Sequence, residues 1–266
     1  MKLLVSDLDG TLLGSDKAVY PEVVEAIERW QAAGNVFAIA TGRLYTSGIY
    51  YAERFLANDY FIGCSGATIY QDGQLIEQTP IELDLVHRLW DIMNQRGGYC
   101  QIYSDKWIVA NSNGRVVKFY QDFEKLAGPK YRVPTVIQPD VSQVRGPVHK
   151  LSFTFDNDQE VDDILAQLGD ITGYNLFRSL PYLFDIISDQ ADKGLAAKHL
   201  QTMIGAEKLY TVGDNENDIA MLKLADYSAV IETAPPHVLD SADMIVKTPD
   251  RGGIVEFIDL LLGKEE

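Results

Sequence analysis

The chain has 266 residues, 46% of them hydrophobic and 23% charged, a globular mixture that excludes extensive disorder and is long enough for two domains. Its formal net charge of -16, with no stripe of Lys and Arg to offset it, argues against nucleic acid as a partner. Two cysteines, Cys64 and Cys100, are too few for a disulfide framework, the opening MKLLVSDLDG is too acidic for a signal peptide, and no apolar stretch reaches membrane-spanning length, so a cytoplasmic chain without membrane contact is expected.

In chain order, Lys2 to Ser6 is a short apolar run that breaks into acidic residues and Gly10, the pattern of a buried strand ending in a loop. From Pro21 to Ala33, Val23, Val24, Ile27 and Trp30 recur at helical spacing, with Pro21 where helices start and Gly34 just past the end. Val36 to Ala40 reads as a second strand ending in Thr41-Gly42-Arg43, and Tyr60 to Ile62 as a third, running into Gly63-Cys64-Ser65-Gly66. The rhythm then changes. Asp84 to Arg96 predicts a helix, followed by paired strands at Tyr99 to Ser104 and Trp107 to Ala110. Residues 112–147, broken by Gly128-Pro129, Pro134, Pro139 and Gly146-Pro147, give no clear period. A strand at His149 to Phe155, a helical stretch at Gln159 to Leu168, and strands at Tyr174 to Arg178 and Tyr182 to Ser188 make a similar unit with antiparallel pairing. Near the end, Leu209 to Val212 empties into Gly213-Asp214, and further apolar runs follow at Tyr227 to Ile231 and Met244 to Val246, so both ends predict one parallel sheet.

Asp7 and Asp9 lie two apart where the first strand ends, and an extended backbone there points both carboxylates to one side, able to converge on one ion. Ligands bind beyond the carboxyl ends of strands in open parallel sheets, where Thr41 and Asp214 also fall. Such a pair alone reads more readily as a solvated loop. An EF-hand is excluded because position six, which must be Gly, is Ile219 counted from Asp214 and Leu12 counted from Asp7. Neither cysteine has the following arginine that a thiol phosphatase needs, and no Walker A or dinucleotide fingerprint is present. His87, His149, His199 and His237 are scattered without ligand spacing, and Tyr99, Tyr103 and Trp107 could line a substrate pocket, although core packing is the commoner role of aromatics on paired strands.

The run Asp7-Leu8-Asp9-Gly10-Thr11-Leu12-Leu13, with Thr41-Gly42-Arg43, Asp192-Lys193-Gly194 and Gly213-Asp214-Asn215-Glu216-Asn217-Asp218, resembles the haloacid dehalogenase superfamily. More narrowly it is similar to the Cof-type sugar phosphatases, which carry a C2 (type IIB) cap. The resemblance implies an α/β fold: a Rossmann-like doubly wound parallel core at residues 1–81 and 189–266, with an inserted α+β cap at residues 82–188 that sets substrate specificity. It implies a magnesium-dependent phosphatase acting on a small phosphorylated metabolite, with Asp7 the nucleophile that forms an aspartyl phosphate and Asp9 the acid/base, its pKa raised. Mg2+ is then held by the Asp7 carboxylate, the Asp9 backbone carbonyl and Asp214, with Asp218 behind them. Phosphate is held by the Leu8 and Gly42 amides, the Thr41 hydroxyl, Lys193 and the Asn217 side chain, while Arg43 either faces substrate or pairs with nearby carboxylates. One position departs from the pattern: Ser65 stands where an asparagine commonly precedes Gly66, which puts any contact of that asparagine in doubt. A phosphosugar mutase of the same superfamily is the enzyme alternative. A non-catalytic phosphometabolite-binding regulator is a further one, against which the complete set of Asp7, Asp9, Lys193 and Asp214 argues. No motif in the chain specifies an oligomeric state.

Overall fold

The computed structural model describes residues 1–57, 59–138, 140, 141, 144, 146–154, 158–169, 171–180 and 183–263. Expected elements form within two residues of their expected bounds, with Phe155, Tyr182 and Pro139 lying outside the described residues.

The first strand, β1 (Leu3–Ser6), is buried at every position, which is why it reads as an unbroken apolar run rather than an alternating one. Helix α1 (Pro21–Ala32) buries Val23, Ala26, Ile27 and Trp30, and the Trp30 indole donates to the Val36 carbonyl at 2.8 Å, tying the helix to β2 (Val36–Ala40). Then come α2 (Tyr45–Ala52), β3 (Tyr60–Gly63) and a hairpin of β4 (Thr68–Gln71) and β5 (Gln74–Gln78). Helix α2 has little sequence signature: it is short and holds Gly48, where a Cβ would lie 2.2 Å from the Phe61 ring. The chain continues through α3 (Leu83–Gln95), β6 (Tyr99–Tyr103), β7 (Ile108–Ala110), α4 (Arg115–Ala127), β8 (Thr135–Ile137), β9 (Lys150–Thr154), α5 (Asp158–Leu168), β10 (Tyr174–Leu180) and β11 (Leu183–Ser188). It closes with α6 (Lys193–Ile204), β12 (Leu209–Gly213), α7 (Ile219–Leu224), β13 (Tyr227–Ile231), α8 (Pro236–Leu239), β14 (Met244–Val246) and α9 (Gly253–Gly263).

Two sheets result. The first runs β14-β13-β12-β1-β2-β3-β4-β5, parallel as far as β3 and antiparallel in the hairpin. Because β1 lies between β2 and β12, chain order reverses there, and a crevice opens beyond the carboxyl ends of β1 and β12. The second sheet runs β10-β11-β9-β6-β7-β8. The antiparallel pairing expected of the insertion holds for β6-β7, β6-β9, β9-β11 and β10-β11, whereas β8, in the segment without a clear period, pairs with β7 in parallel. The segment that gave no period supplies the reason: α4 is the crossover that a parallel pair requires. Among the described residues no helix is long and apolar enough to cross a membrane.

Candidate active site

Asp7 extends β1 by one residue, its backbone N–H donating to the Val212 carbonyl of β12 at 2.9 Å, so its side chain enters the crevice at a point set by the sheet. Lys193 opens α6, whose start is fixed by the Asp192 carboxylate accepting from the Leu195 N–H at 2.7 Å. The Lys193 ammonium reaches back to Asp7 Oδ1 at 2.5 Å and to Asp218 Oδ1 at 2.6 Å. The other Asp218 oxygen accepts from the backbone N–H groups of Asp214 and Asn215, each at 3.0 Å. Both Asp218 oxygens are thus committed to holding Lys193 and the β12 exit loop. Asp214 accepts from the Thr11 hydroxyl at 2.8 Å, and Gly10, with φ of +102°, makes room for it, since a Cβ there would lie 2.4 Å from Asp214 Oδ2.

Carboxylate oxygens of Asp7, Asp214 and Asp218 lie within 4.8 Å of one another. Burial, and then repulsion from Asp218 and Asp214, raises the Asp7 pKa despite the opposing Lys193; burial and Asp218 likewise push Asp214 up to about 6. Lys193 moves up as well: burial opposes its charge, but Asp218 and Asp7 outweigh burial. Three carboxylates against one ammonium leave excess negative charge, which makes this a group able to hold a divalent cation.

Asp9 departs from expectation. Its carboxylate does not join Asp7 but binds Arg43, Nε to Oδ2 at 2.6 Å and Nη2 to Oδ1 at 2.7 Å, together with Lys17 at 2.8 Å. Burial would raise its pKa, but Arg43 and then Lys17 override that and hold it below the usual carboxylate range, so the raised value expected of a proton donor is corrected for this conformation. Arg43 is placed by the rings of Tyr51, Phe119 and Phe123, at 4.9, 5.7 and 5.9 Å, the last two from α4. Of the two roles open to it, pairing with a carboxylate is the one observed.

The remaining expected residues lie in the loops that leave β1, β2 and β12. Thr41 Oγ1 accepts from the Arg43 N–H at 3.3 Å, leaving its hydroxyl hydrogen to donate. The Gly42 carbonyl accepts from Lys150 at 2.9 Å, Leu8 is buried with its carbonyl accepting from Leu12 and Leu13, and Asn217 sits half-buried in the turn that carries Asp218. Ser65 adopts φ of +57°, a conformation asparagine tolerates better than serine, and its buried hydroxyl has no hydrogen-bond partner. The Cys64 thiol is pushed up to about 12, by burial first, and is inert. His149 is buried against Gln78, whereas His199 and His237 pair with Glu77 and Glu216 at the surface. A surface cavity lined by Ala67, Glu77, Thr79, Gln190 and His199 includes none of Asp7, Asp9, Asp214 and Asp218. Sequence reasoning missed Thr11, Lys17, Lys150 and Asp185. For Asp185 a signal existed, a charged residue inside a largely apolar strand; Lys150, which opens β9, gave none.

Residues 4–258 match the profile of a family described as haloacid dehalogenase-like hydrolase. The 5-amino-6-(5-phospho-D-ribitylamino)uracil phosphatase YwtE of Bacillus subtilis is 25% identical over 286 residues, covering 98% of each chain. A solved haloacid dehalogenase-like hydrolase from B. subtilis superposes with a TM-score of 0.85 at 22% identity, over 97% of this chain and 99% of that one. A solved HAD subclass IIB sugar phosphatase gives 0.81 at 20% identity, over 98% and 99%.

Proposed function

The chain belongs to the haloacid dehalogenase-like hydrolases and is a phosphatase of that family, and from this premise we propose that it removes phosphate from a small phosphorylated metabolite, with magnesium and with Asp7 as nucleophile. The observation that carries the reading is the convergence of Asp7, Lys193, Asp214 and Asp218 from separate segments onto one buried point. The phosphoribityl compound in the name of the B. subtilis relative is of the proposed substrate size and supports it.

The acidic group fits Mg2+. Asp7 and Asp214, with the Asp9 backbone carbonyl, are the proposed ligands, because Asp218 is already spent on Lys193 and two amides. A bound magnesium would offset the repulsion between an anionic nucleophile and an anionic ester. Asp7 attacks phosphorus, the bond from phosphorus to the alcohol oxygen breaks, and an aspartyl phosphate forms; water then attacks that phosphorus and frees the Asp7 carboxylate and phosphate. Asp9 gives a proton to the leaving alkoxide and takes one from the attacking water, so both steps require its release from Arg43 and Lys17. The Leu8 and Gly42 amides, the Thr41 hydroxyl, the Lys193 ammonium and the Asn217 amide are the proposed donors to phosphate oxygens. Residues 82–188 are the proposed cap over a core of residues 1–81 and 189–266, excluding water and reading the leaving group.

Phosphate release from sugar, polyol, nucleotide and cofactor phosphates, with magnesium and with EDTA, tests the reading in wild type and Asp7→Asn. Magnesium-dependent release that disappears in a folded Asp7→Asn protein is expected. Full activity in that variant sinks the nucleophile assignment.

A further inference from the structure

The six-stranded sheet has one dry face, where Cys100, Ile102, Leu151, Phe153, Phe184 and Ile186 pack under α3 and α5. Strand alternation puts Gln101, Tyr103, Lys150, Ser152 and Asp185 on the opposite face, and there too they are buried, none more than 5% exposed. Register sets Gln101 opposite Ser152, Tyr103 opposite Lys150, and Ser152 opposite Asp185, making one polar row across three strands. Lys150 lies 3.1 Å from one Asp185 oxygen, and Ser152 donates to the other. The row faces the first sheet: the Lys150 ammonium donates to the Gly42 carbonyl, and a Cβ built on Gly42 would lie 3.3 Å from Ser65 Oγ and 3.9 Å from Lys150 Nζ. Among the described residues, buried polar atoms without a hydrogen-bond partner include Gln101 Oε1, Ser65 Oγ and Arg43 Nη1.

Packing does not account for such a row. A buried ion pair is commonly no more stable than apolar residues of the same volume, and each unpaired polar atom adds a cost. What the row offers is donors and acceptors beside the loop proposed to hold phosphate, with the one ion pair in it neutral overall. We propose that Lys150 and Asp185 are specificity-determining residues: with Gln101, Ser152 and Ser65 they bind the hydroxyls of an uncharged, polyhydroxylated leaving alcohol, and the Asp185 carboxylate rejects alcohols that carry a second anionic group. The proposal rests on the phosphatase reading above. Hydroxyls both donate and accept, so they satisfy the orphaned oxygens and the ion pair together. A second anion reaches Lys150 only by crowding Asp185, a like-charge contact. The ester enters when the inserted sheet lifts from Gly42, exposing the row.

The test compares kcat/KM for sorbitol phosphate and phosphogluconate, which differ in a terminal carboxylate, and for p-nitrophenyl phosphate, in wild type, Asp185→Asn and the apolar pair Lys150→Met/Asp185→Leu. Wild type should prefer sorbitol phosphate, and Asp185→Asn should cut that preference by about tenfold or more through a gain on phosphogluconate. The apolar pair, which keeps the volume and avoids an orphaned buried charge, should lose the preference for sorbitol phosphate over p-nitrophenyl phosphate. Partial unfolding lowers all three rates together and leaves the ratios alone. A wild type that hydrolyses p-nitrophenyl phosphate yet favours phosphogluconate, or a ratio unchanged in Asp185→Asn, overturns this inference and leaves the phosphatase standing. A wild type inert to all three overturns this inference, and one inert to the nucleotide and cofactor phosphates as well overturns both.

Discussion

Lys193 carries two carboxylates and almost no water: its side chain is 1% exposed, with Asp7 at 2.5 Å and Asp218 at 2.6 Å. Removing it leaves buried carboxylates without a counter-charge, so Lys193→Ala should lose about 3–5 kcal/mol of stability, read from denaturant unfolding. In whatever fraction folds, it should lose about 3–4 kcal/mol of transition-state stabilisation, read from kcat/KM. Gly10 is constrained differently. Its left-handed φ and the 2.4 Å approach of Asp214 Oδ2 to a built Cβ mean that Gly10→Ala displaces the Asp214 carboxylate. The expected outcome is a raised magnesium concentration for half-maximal activity, with melting temperature changed less than in Lys193→Ala. Asp9 and Arg43 show what residue spacing conceals: 34 positions separate them, and only the approach of the β2 exit loop to the β1 exit loop makes them a pair.

Among the elements, α6 links stability to chemistry because its first residue is Lys193 and the residue before it, Asp192, caps it. Asp192→Ala should cost about 1 kcal/mol of stability, the usual worth of an N-cap, and should lower kcat more than such a loss alone explains, since the helix start aims the ammonium. Asp192→Asn, which keeps the cap, should recover most of both; equal losses in the two variants would remove the cap from the argument. Helix α4 acts on the site from a distance. It buries Val117, Tyr120 and Phe123 at helical spacing and presents Phe119 and Phe123 to Arg43. That spacing was present in the sequence but lay between glycines and prolines, and the β-branched and aromatic residues that form it are weak helix formers.

At the scale of the whole molecule, the buried acidic group should make stability depend on pH and, with the proposed magnesium bound, on metal. Burial, and then Asp218, pushes Asp214 up to about 6, against 3.8 for an ordinary aspartate, so between those values the native state holds more protons and stability falls as pH rises. Asp9 works the other way, but its pKa is depressed, so its contribution is complete above about pH 4 and the two windows separate. In EDTA the melting temperature should therefore drop between about pH 4 and pH 6.5, and magnesium should restore it above pH 7 while doing little near pH 4.5. A magnesium shift of the same size at both ends would place the ion elsewhere. The sequence by itself determined the parallel sheet and set Asp7, Thr41 and Asp214 where its strands end. Strands buried on both faces must be apolar runs, and in an open parallel sheet polar groups gather where those runs end, so β1, β2 and β12 announce the sheet and the proposed site at once. Only the tertiary structure decided that Arg43 takes Asp9, that β7 and β8 run parallel, and that Lys150 and Asp185 meet on a buried polar face. Each depends on which distant segments become neighbours, a property of strand register and crossover, and not of local period.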